Sequence, residues 1–188
     1  MTHRPLFVGL AALAAACSGT PESRYYLPEP TALVAPADGP VLFVDTVTVA
    51  NYADRSQLVT RVDDSRVVFE EFDVWAQPVP ELLTRYLVDA LGNRFGRDNV
   101  LATPGRRSFD PDWRVEVDVI RLDADQAGAV VLDARWTLFR GRDDRFVGTG
   151  RERLVEQAEP NDIPGRIAAV DRALDDLAGR IAAAVRAR

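Results

Sequence analysis

The sequence predicts one α+β domain, in which an antiparallel sheet of about six to seven strands is covered by two helices, over about residues 78–95 and 163–186. Three long segments with strand-like alternation follow one another between residues 113 and 156, and short polar turns join them. Two other stretches repeat apolar residues at three- and four-residue steps, which is typical of helices that bury one face. With 188 residues, the chain is long enough to bury one sizeable core.

Five short segments precede the long ones and contain the β-branched and aromatic residues that favour strands. The clearest begins directly after Pro40, and the polar turn Asp63–Arg66 separates two of the others. The predicted strands are Arg24–Leu27, Val41–Ala50, Gln57–Val62, Val67–Phe72 and Asn99–Thr103.

The first helix is predicted from Pro78 to Phe95. Pro78 and Pro80 lie at its start, Glu81 falls in its first turn, and Gly96 follows its end, so both ends carry the usual signals. Its apolar residues share one face: Leu82, Leu83, Tyr86, Leu87, Ala90, Leu91 and Phe95.

The three long strands Trp113–Leu122, Val130–Phe139 and Arg145–Glu156 are predicted to form an antiparallel meander. In the first of them, apolar and charged residues alternate as far as Val119, and the apolar positions then change parity. A β-bulge near Val119 would account for this change.

The second helix is predicted over residues 163–186, with Asn161 or Asp162 as its cap and Pro164 in its first turn. Its apolar stripe could form a coiled-coil seam, but packing on the sheet is the preferred interpretation because the stripe spans only about three heptads. The stripe consists of Ile167, Val170, Leu174, Leu177, Ile181 and Val185.

Residues 1–16 have the features of a bacterial secretion signal. A short cationic start precedes Leu6–Ala16, an uncharged core of 11 residues that is too short to span a bilayer. The core ends at Cys17, the only cysteine, and the run Ala14–Cys17 resembles a lipobox, whose cysteine is lipidated and becomes the first residue of the mature protein. The alternative is an ordinary signal peptide that is cleaved nearby, with Cys17 incidental.

The chain is therefore predicted to divide into a signal peptide (1–16), a lipidated cysteine with a proline-rich tether (17–40) and a folded domain (41–188). Acyl chains on Cys17 would hold the protein at a membrane. In lipoproteins of Gram-negative bacteria, Asp after the cysteine favours the inner membrane. Ser18 stands there instead, so the resemblance implies the inner leaflet of the outer membrane, facing the periplasm.

The composition argues against several classes of function. The formal net charge is −6, so we expect no nucleic-acid partner. All 23 basic residues are arginine, and the single histidine, His3, leaves with the signal. Histidine-dependent nucleophiles, lysine Schiff bases and histidine or cysteine metal sites are then unavailable. We expect no cofactor, no metal and no enzymatic activity.

Adjacent acidic residues are the remaining candidates for catalysis. A glycosidase needs two carboxylates about 5–10 Å apart, and neighbours on one strand point to opposite faces. A carboxylate-based envelope hydrolase is therefore only a third-ranked hypothesis. The run Asp123-x-Asp125 resembles the start of a calcium loop, but the required glycine and glutamate are misplaced. The acidic pairs are Asp63–Asp64, Glu70–Glu71, Asp143–Asp144 and Asp175–Asp176.

A partner-binding surface is predicted around the segment Asn51–Arg61 and Trp75. Tyr, Trp and Arg are enriched among interface hot spots, and this region concentrates them. The alternative is a solvated loop with a local Asp54–Arg55 charge pair. The candidate partner-binding residues are Tyr52, Asp54, Arg55, Gln57, Arg61 and Trp75.

The order and spacing of these motifs resemble those of the PqiC family, the auxiliary lipoproteins of MCE-type transport systems. The resemblance covers most of the mature chain and is strongest from Val47 to Phe95. It rests on Tyr25-Tyr26-Leu27, Val47-x-Val49, Tyr52-x-Asp54-Arg55-x-Gln57-Leu58-Val59-Thr60-Arg61 and Trp75-Ala76-x-Pro78.

The resemblance implies a docking role without catalysis. Its implied partners are an MCE-domain tunnel protein with its inner-membrane transporter, and further copies of the chain in a homo-oligomeric ring. The alternative from another class is a periplasmic carrier lipoprotein that binds a lipid directly in an apolar groove.

Overall fold

The computed structural model describes residues 21–31, 39–103, 110–141 and 143–188; Cys17, the signal and much of the predicted tether lie outside these ranges. The described part forms one α+β domain. Its elements are β1 (Arg24–Tyr26), β2 (Leu42–Val44), β3 (Thr48–Val49), β4 (Gln57–Arg61), β5 (Val67–Trp75), α1 (Val79–Phe95), a short 3-10 helix (Arg97–Asn99), β6 (Val100–Ala102), β7 (Trp113–Asp125), β8 (Ala129–Arg140), β9 (Arg145–Gln157) and α2 (Ile163–Arg186).

The predicted α+β class with two helices is confirmed, but the sheet is mixed rather than purely antiparallel. In the described residues it has nine strands. Strands β2, β3 and β4 lie one after another along the same edge of β7, and each runs parallel to it. Strands β1 and β6 also pair in parallel, with β5 and β2 respectively. Parallel pairs need long connections, and the chain between β4 and β7, which includes α1, supplies one.

The meander β7–β8–β9 is confirmed as the antiparallel centre of the fold. Strand β8 pairs with β7 on one side and β9 on the other. The ladder between β7 and β8 shifts register between Val119 and Arg121, where the change of parity predicts a bulge.

The predicted strand Val41–Ala50 is divided into β2 and β3. Between them, Asp45 donates its amide to the carbonyl of Val115 at 3.0 Å. Val47 is almost fully buried and donates its amide to Thr84 Oγ1 of α1 at 2.9 Å. The chain therefore turns toward the helix in the middle of the segment.

Both helices pack on the same face of the sheet and contact each other. The apolar faces of α1 and α2 enter one core with the inward residues of β7, β8 and β9. Tyr86 Oη donates to the carbonyl of Asp171 at 2.8 Å, and Arg94 Nη2 lies 2.9 Å from Asp175 Oδ2. The helices described here include none that is long and apolar enough to cross a membrane.

Strand β1 ties the N-terminal segment to the domain. Arg24 Nη2 lies 2.7 Å from Asp73 Oδ2, and Tyr26 Oη donates to Asp73 Oδ1 at 2.9 Å. The short docking strand expected near Arg24–Leu27 is thus present, although it falls within the range predicted as tether.

Candidate partner-binding site

The loop between β3 and β4, together with β4 itself, holds five of the six predicted site residues. A tight turn positions the loop, because the amides of Ala53 and Asp54 both donate to the carbonyl of Ala50, at 2.8 and 3.1 Å. Tyr52 and Arg55 are half-buried, and Asp54 is exposed.

Asp123 on β7 lies beneath this loop and binds its side chains. Its side chain has no solvent exposure. Tyr52 Oη donates to Asp123 Oδ2 at 2.8 Å, Arg61 Nη2 donates to the same oxygen at 2.8 Å, and Arg121 Nη2 lies 2.7 Å from Oδ1. The main-chain amide of Leu122 also donates to the Tyr52 hydroxyl, at 3.3 Å. The loop is therefore joined to the centre of the sheet.

The electrostatics of this cluster favour ionised Asp123. Burial would raise the pKa of Asp123, but hydrogen bonds from Arg61, Arg121 and Tyr52 hold it below its ordinary value. Burial and the bond to Asp123 raise the pKa of the Tyr52 hydroxyl, so it stays protonated as a donor. The guanidinium of Arg61 also lies 5.8 Å from the centre of the Tyr52 ring.

Arg55 sits over an aromatic ring at the outer side of the loop. Its guanidinium carbon is 3.7 Å from the centre of the Phe69 ring, and its Nε donates to the carbonyl of Tyr52 at 2.9 Å. Phe69 remains 37% exposed, and the adjacent Val68 is 51% exposed. This corner of the sheet presents a cation and apolar atoms to solvent, a combination found at interface hot spots.

The other two predicted site residues, Trp75 and Gln57, lie in the core and in the sheet respectively. Trp75 is 8% exposed and belongs to the core, so its ring offers little area to a partner. Its amide donates to the carbonyl of Ser56 at 2.6 Å. Gln57 is half-buried and pairs with Val74 in the β4–β5 ladder. The structure thus brings Tyr52 and Arg61 together, sets Arg55 beside them, and places Trp75 beneath.

A buried arginine supports the other side of β4. Arg166 is 6% exposed, and its Nη1 donates to Thr60 Oγ1 at 2.8 Å and lies 3.5 Å from Glu70 Oε1. Sequence reasoning missed Arg166 and the role of Asp123. For Arg166, the available signal was a single charged residue within the apolar start of the second helix. Asp123 alternates with Arg121 and Asp125 on its strand and gave no such signal.

The acidic pairs proposed for catalysis are engaged in structural contacts. Asp63 Oδ1 accepts the amides of Ser65 and Arg66, both at 2.9 Å, and so closes its turn. Asp144 Oδ1 accepts from Arg114 at 2.8 Å. The described residues contain no group of three or more His, Cys, Asp or Glu side chains able to hold a metal ion.

An apolar cavity lies between this site and α2, and its volume is about 30 Å³. Trp75, Leu58 and Val170 are among the side chains that line it. A volume of this size admits about one or two water molecules. The larger clefts among the described residues are lined in part by charged side chains such as Asp89 and Asp171.

Three solved structures show the same fold. An uncharacterized protein matches with a TM-score of 0.70 at 19% identity, over 88% of this chain and 99% of that chain. The DUF330 protein XCC0632 from Xanthomonas campestris matches with a TM-score of 0.69 at 20% identity, over 85% and 92%. The hypothetical protein CT253 from Chlamydia trachomatis matches with a TM-score of 0.50 at 10% identity, over 81% and 100%.

The sequence itself matches a family model. A search of curated proteins finds no match. The model for the ABC-type transport auxiliary lipoprotein component, however, matches residues 25–182, which is most of the chain and nearly all of the sheet and core described above. The chain therefore belongs to this family of transport auxiliary lipoproteins, the PqiC-like family that its sequence motifs resemble.

Proposed function

We propose that this protein is a lipid-anchored, non-enzymatic docking subunit of an MCE-type lipid transport system. The acyl chains on Cys17 would hold it in the inner leaflet of the outer membrane, with the domain facing the periplasm. There it would receive the end of an MCE-domain tunnel that starts at an inner-membrane transporter. The single observation that carries this proposal is the family match over residues 25–182.

The lipobox-like run Ala14–Cys17 supports the anchor. Family membership makes a lipidated cysteine the expected attachment, and Cys17 is the only cysteine of the chain. Three acyl chains would bury enough methylene groups for stable anchoring, at about 0.8 kcal/mol for each.

The contacts of the acidic residues support a role without catalysis. A general acid or nucleophile must be able to reach a substrate. Asp123 is instead fully enclosed by two arginines and a tyrosine, and Asp133 is bound by Arg151 at 2.8 Å. These contacts stabilise the ionised form of both carboxylates. Side chains held in this way suit a rigid scaffold.

The loop Asn51–Arg61 is the proposed contact with the tunnel protein. Asp123 holds the side chains of Tyr52 and Arg61 from below, while Arg55 and the exposed part of Phe69 face outward. A surface that is ordered before binding loses little conformational entropy when a partner docks. The resemblance to ring-forming members also supports several copies of the chain at one tunnel end.

In-cell crosslinking followed by affinity purification tests this role. We expect the wild-type chain to capture an MCE-domain protein, and Arg55→Ala to reduce that capture while the domain stays folded. Arg85→Ala is the matched control, because Arg85 is an exposed arginine on α1, outside the proposed contact surface. Recovery of the folded wild-type chain without any MCE-domain protein would contradict the proposal.

A further inference from the structure

The last strand of the sheet, β9, has a free edge. It runs for 13 residues and pairs only with β8 within the described part of the chain. An unpaired edge of this length presents a row of main-chain donors and acceptors to which another strand can add.

One face of β9 is covered by α2 and the other is open. Leu154 is buried, and Glu152 and Glu156 lie 3.4 and 2.7 Å from Arg180 and Arg172 of α2. The residues between them point to the opposite face of the sheet. Those outer residues are all exposed: Phe146, Thr149, Arg151, Arg153 and Val155.

On this outer face, β8 and β9 carry three arginines, Arg135, Arg151 and Arg153, against a single aspartate. Beyond them, β7 places Asp118 opposite Arg135, and Asp118 accepts from Thr48 Oγ1 at 2.8 Å. Strand β8 places Arg135 directly opposite Arg151 and places Asp133 opposite Arg153. Only Asp133 is acidic on this face of the two strands, and it is buried and bound to Arg151 at 2.8 and 2.9 Å. Arg135 and Arg153 have no ion pair or side-chain hydrogen bond within the described residues.

The arrangement is costly for an isolated domain. Like charges directly opposite each other on a sheet are destabilising. Charged residues on an edge strand can simply prevent aggregation. That function does not require a second arginine on the neighbouring strand. Preventing aggregation also does not require exposed apolar residues at both ends of the outer face of β9, where Phe146 is 62% and Val155 is 56% exposed.

We propose that the free edge and outer face of β9 bind an extended acidic segment of a partner protein, which adds to the sheet as a further strand. Its carboxylates would contact Arg135, Arg151 and Arg153, and its apolar residues would cover Phe146 and Val155. A second copy of β9 fits poorly, because it would bring arginines against arginines. The inference rests on the proposed docking function and gives the chemistry of one partner.

Binding of synthetic peptides to the full chain in nonionic detergent tests the inference. The probes are peptides of about ten residues, a length natural to strands, that alternate Val with Glu or Val with Arg. We expect the acidic peptide to bind and the basic one not to bind. We also expect methylation of alternate amides on one edge of the acidic peptide to weaken binding at least about tenfold, since strand addition needs those amides.

The double variant Arg135→Gln/Arg153→Gln is expected to weaken acidic-peptide binding by roughly tenfold, because it removes two of the three cations. Neither side chain makes an ion pair or a hydrogen bond within the described residues, so the fold is expected to persist. Arg85→Gln on α1, an exposed arginine on the other side of the sheet, is the matched control and is expected to bind normally.

Three outcomes would overturn the inference: no binding of the acidic peptide, equal binding of both peptides, or unchanged binding by the double variant. Binding of the chain to vesicles of anionic lipid, abolished by the double variant, without peptide binding would instead assign the surface to a membrane. Captured MCE protein together with absent peptide binding would overturn the edge proposal and leave the docking function intact.

Discussion

Arg61 and Asp123 are 62 positions apart in the sequence, yet Arg61 Nη2 lies 2.8 Å from Asp123 Oδ2. Arg61 ends β4 and Asp123 lies near the end of β7, which runs parallel to β4. The Asp123 side chain is fully buried, whereas that of Arg61 is 21% exposed. The predicted partner-binding loop is therefore held in place by a buried carboxylate as well as by hydrogen bonds within the loop.

We expect Asp123→Asn to destabilise the domain by about 3 kcal/mol. Removing one member of a buried charge pair leaves its partners uncompensated, and here two arginines lose their carboxylate. Urea unfolding, with the midpoint and slope compared with those of wild type, measures the effect.

Asp54→Asn provides the control for this measurement, since Asp54 is an exposed aspartate of the same loop. Its free energy of unfolding is expected to change by less than about 0.5 kcal/mol. Equal stability of the Asp123 and Asp54 variants would show that the cluster does not hold the loop.

Substitutions of Trp75 and Arg55 should differ in their effect on stability, because Trp75 lies in the core and Arg55 lies at the proposed contact surface. We expect Trp75→Ala to cost about 3–5 kcal/mol of unfolding free energy, because the ring lies in the core. Arg55→Ala should cost about 1 kcal/mol, mainly through loss of its contact with Phe69. Thermal unfolding measures both. A Trp75→Ala variant as stable as Arg55→Ala would contradict the position assigned to the indole.

Asp171 should make the stability of the domain depend on pH. Burial raises the pKa of Asp171 to about 6, which is above its value in an unfolded chain. Its Oδ1 has no hydrogen-bond partner, and Glu29 adds a nearby negative charge. The folded state therefore binds the proton more tightly, so stability should rise as the pH falls from about 7 to 5.

The melting temperature, followed over this pH range, tests the expectation. Asp171→Asn should be more stable than wild type at pH 7 and should lack the rise. Below about pH 4 stability should fall instead, because Asp123 and Asp133 have lowered pKa values and lose stabilising ion pairs on protonation. The same rise in wild type and Asp171→Asn would contradict this assignment.

Two turn glycines offer a matched pair. Both have positive φ, +88° at Gly128 and +72° at Gly141. A Cβ on Gly128 would lie 2.2 Å from the carbonyl oxygen of Ala158, whereas a Cβ on Gly141 would meet no atom within 4 Å. Gly141→Ala should cost about 1–2 kcal/mol, the cost of the backbone conformation alone. Gly128→Ala should cost more, as chemical unfolding would show; equal losses would contradict the close approach.

The sequence was informative where a pattern is local. The helices α1 and α2, the meander β7–β8–β9 and the bulge after Val119 all follow from periodicity over a few residues, and the structure confirms them. Whether the short strands run parallel or antiparallel to their neighbours could not be predicted from local patterns. Strands β2, β3 and β4 each pair with β7 through residues that are 64 to 71 positions apart in the sequence, a relationship that no periodicity encodes.

The same limit applies to the candidate site. Tyr52, Arg55 and Arg61 were identifiable as a concentration of residues that favour interfaces. The burial of Trp75 depends on α2, which follows much later in the chain, and so could not be read from the surrounding residues. The sequence around Asp123 indicates only the start of a calcium loop, because two of its partners, Tyr52 and Arg61, lie 71 and 62 positions away.

The central claim is that Cys17 anchors a periplasmic domain to a membrane, and acyl labelling with membrane fractionation tests it most directly. Cells expressing wild type or Cys17→Ala would be grown with a labelled palmitate analogue and then fractionated. We expect wild type to take up the label and sediment with the outer membrane, and Cys17→Ala to be unlabelled and soluble in the periplasm. Unlabelled wild type, together with a Cys17→Ala chain that stays in the membrane fraction, would contradict the claim.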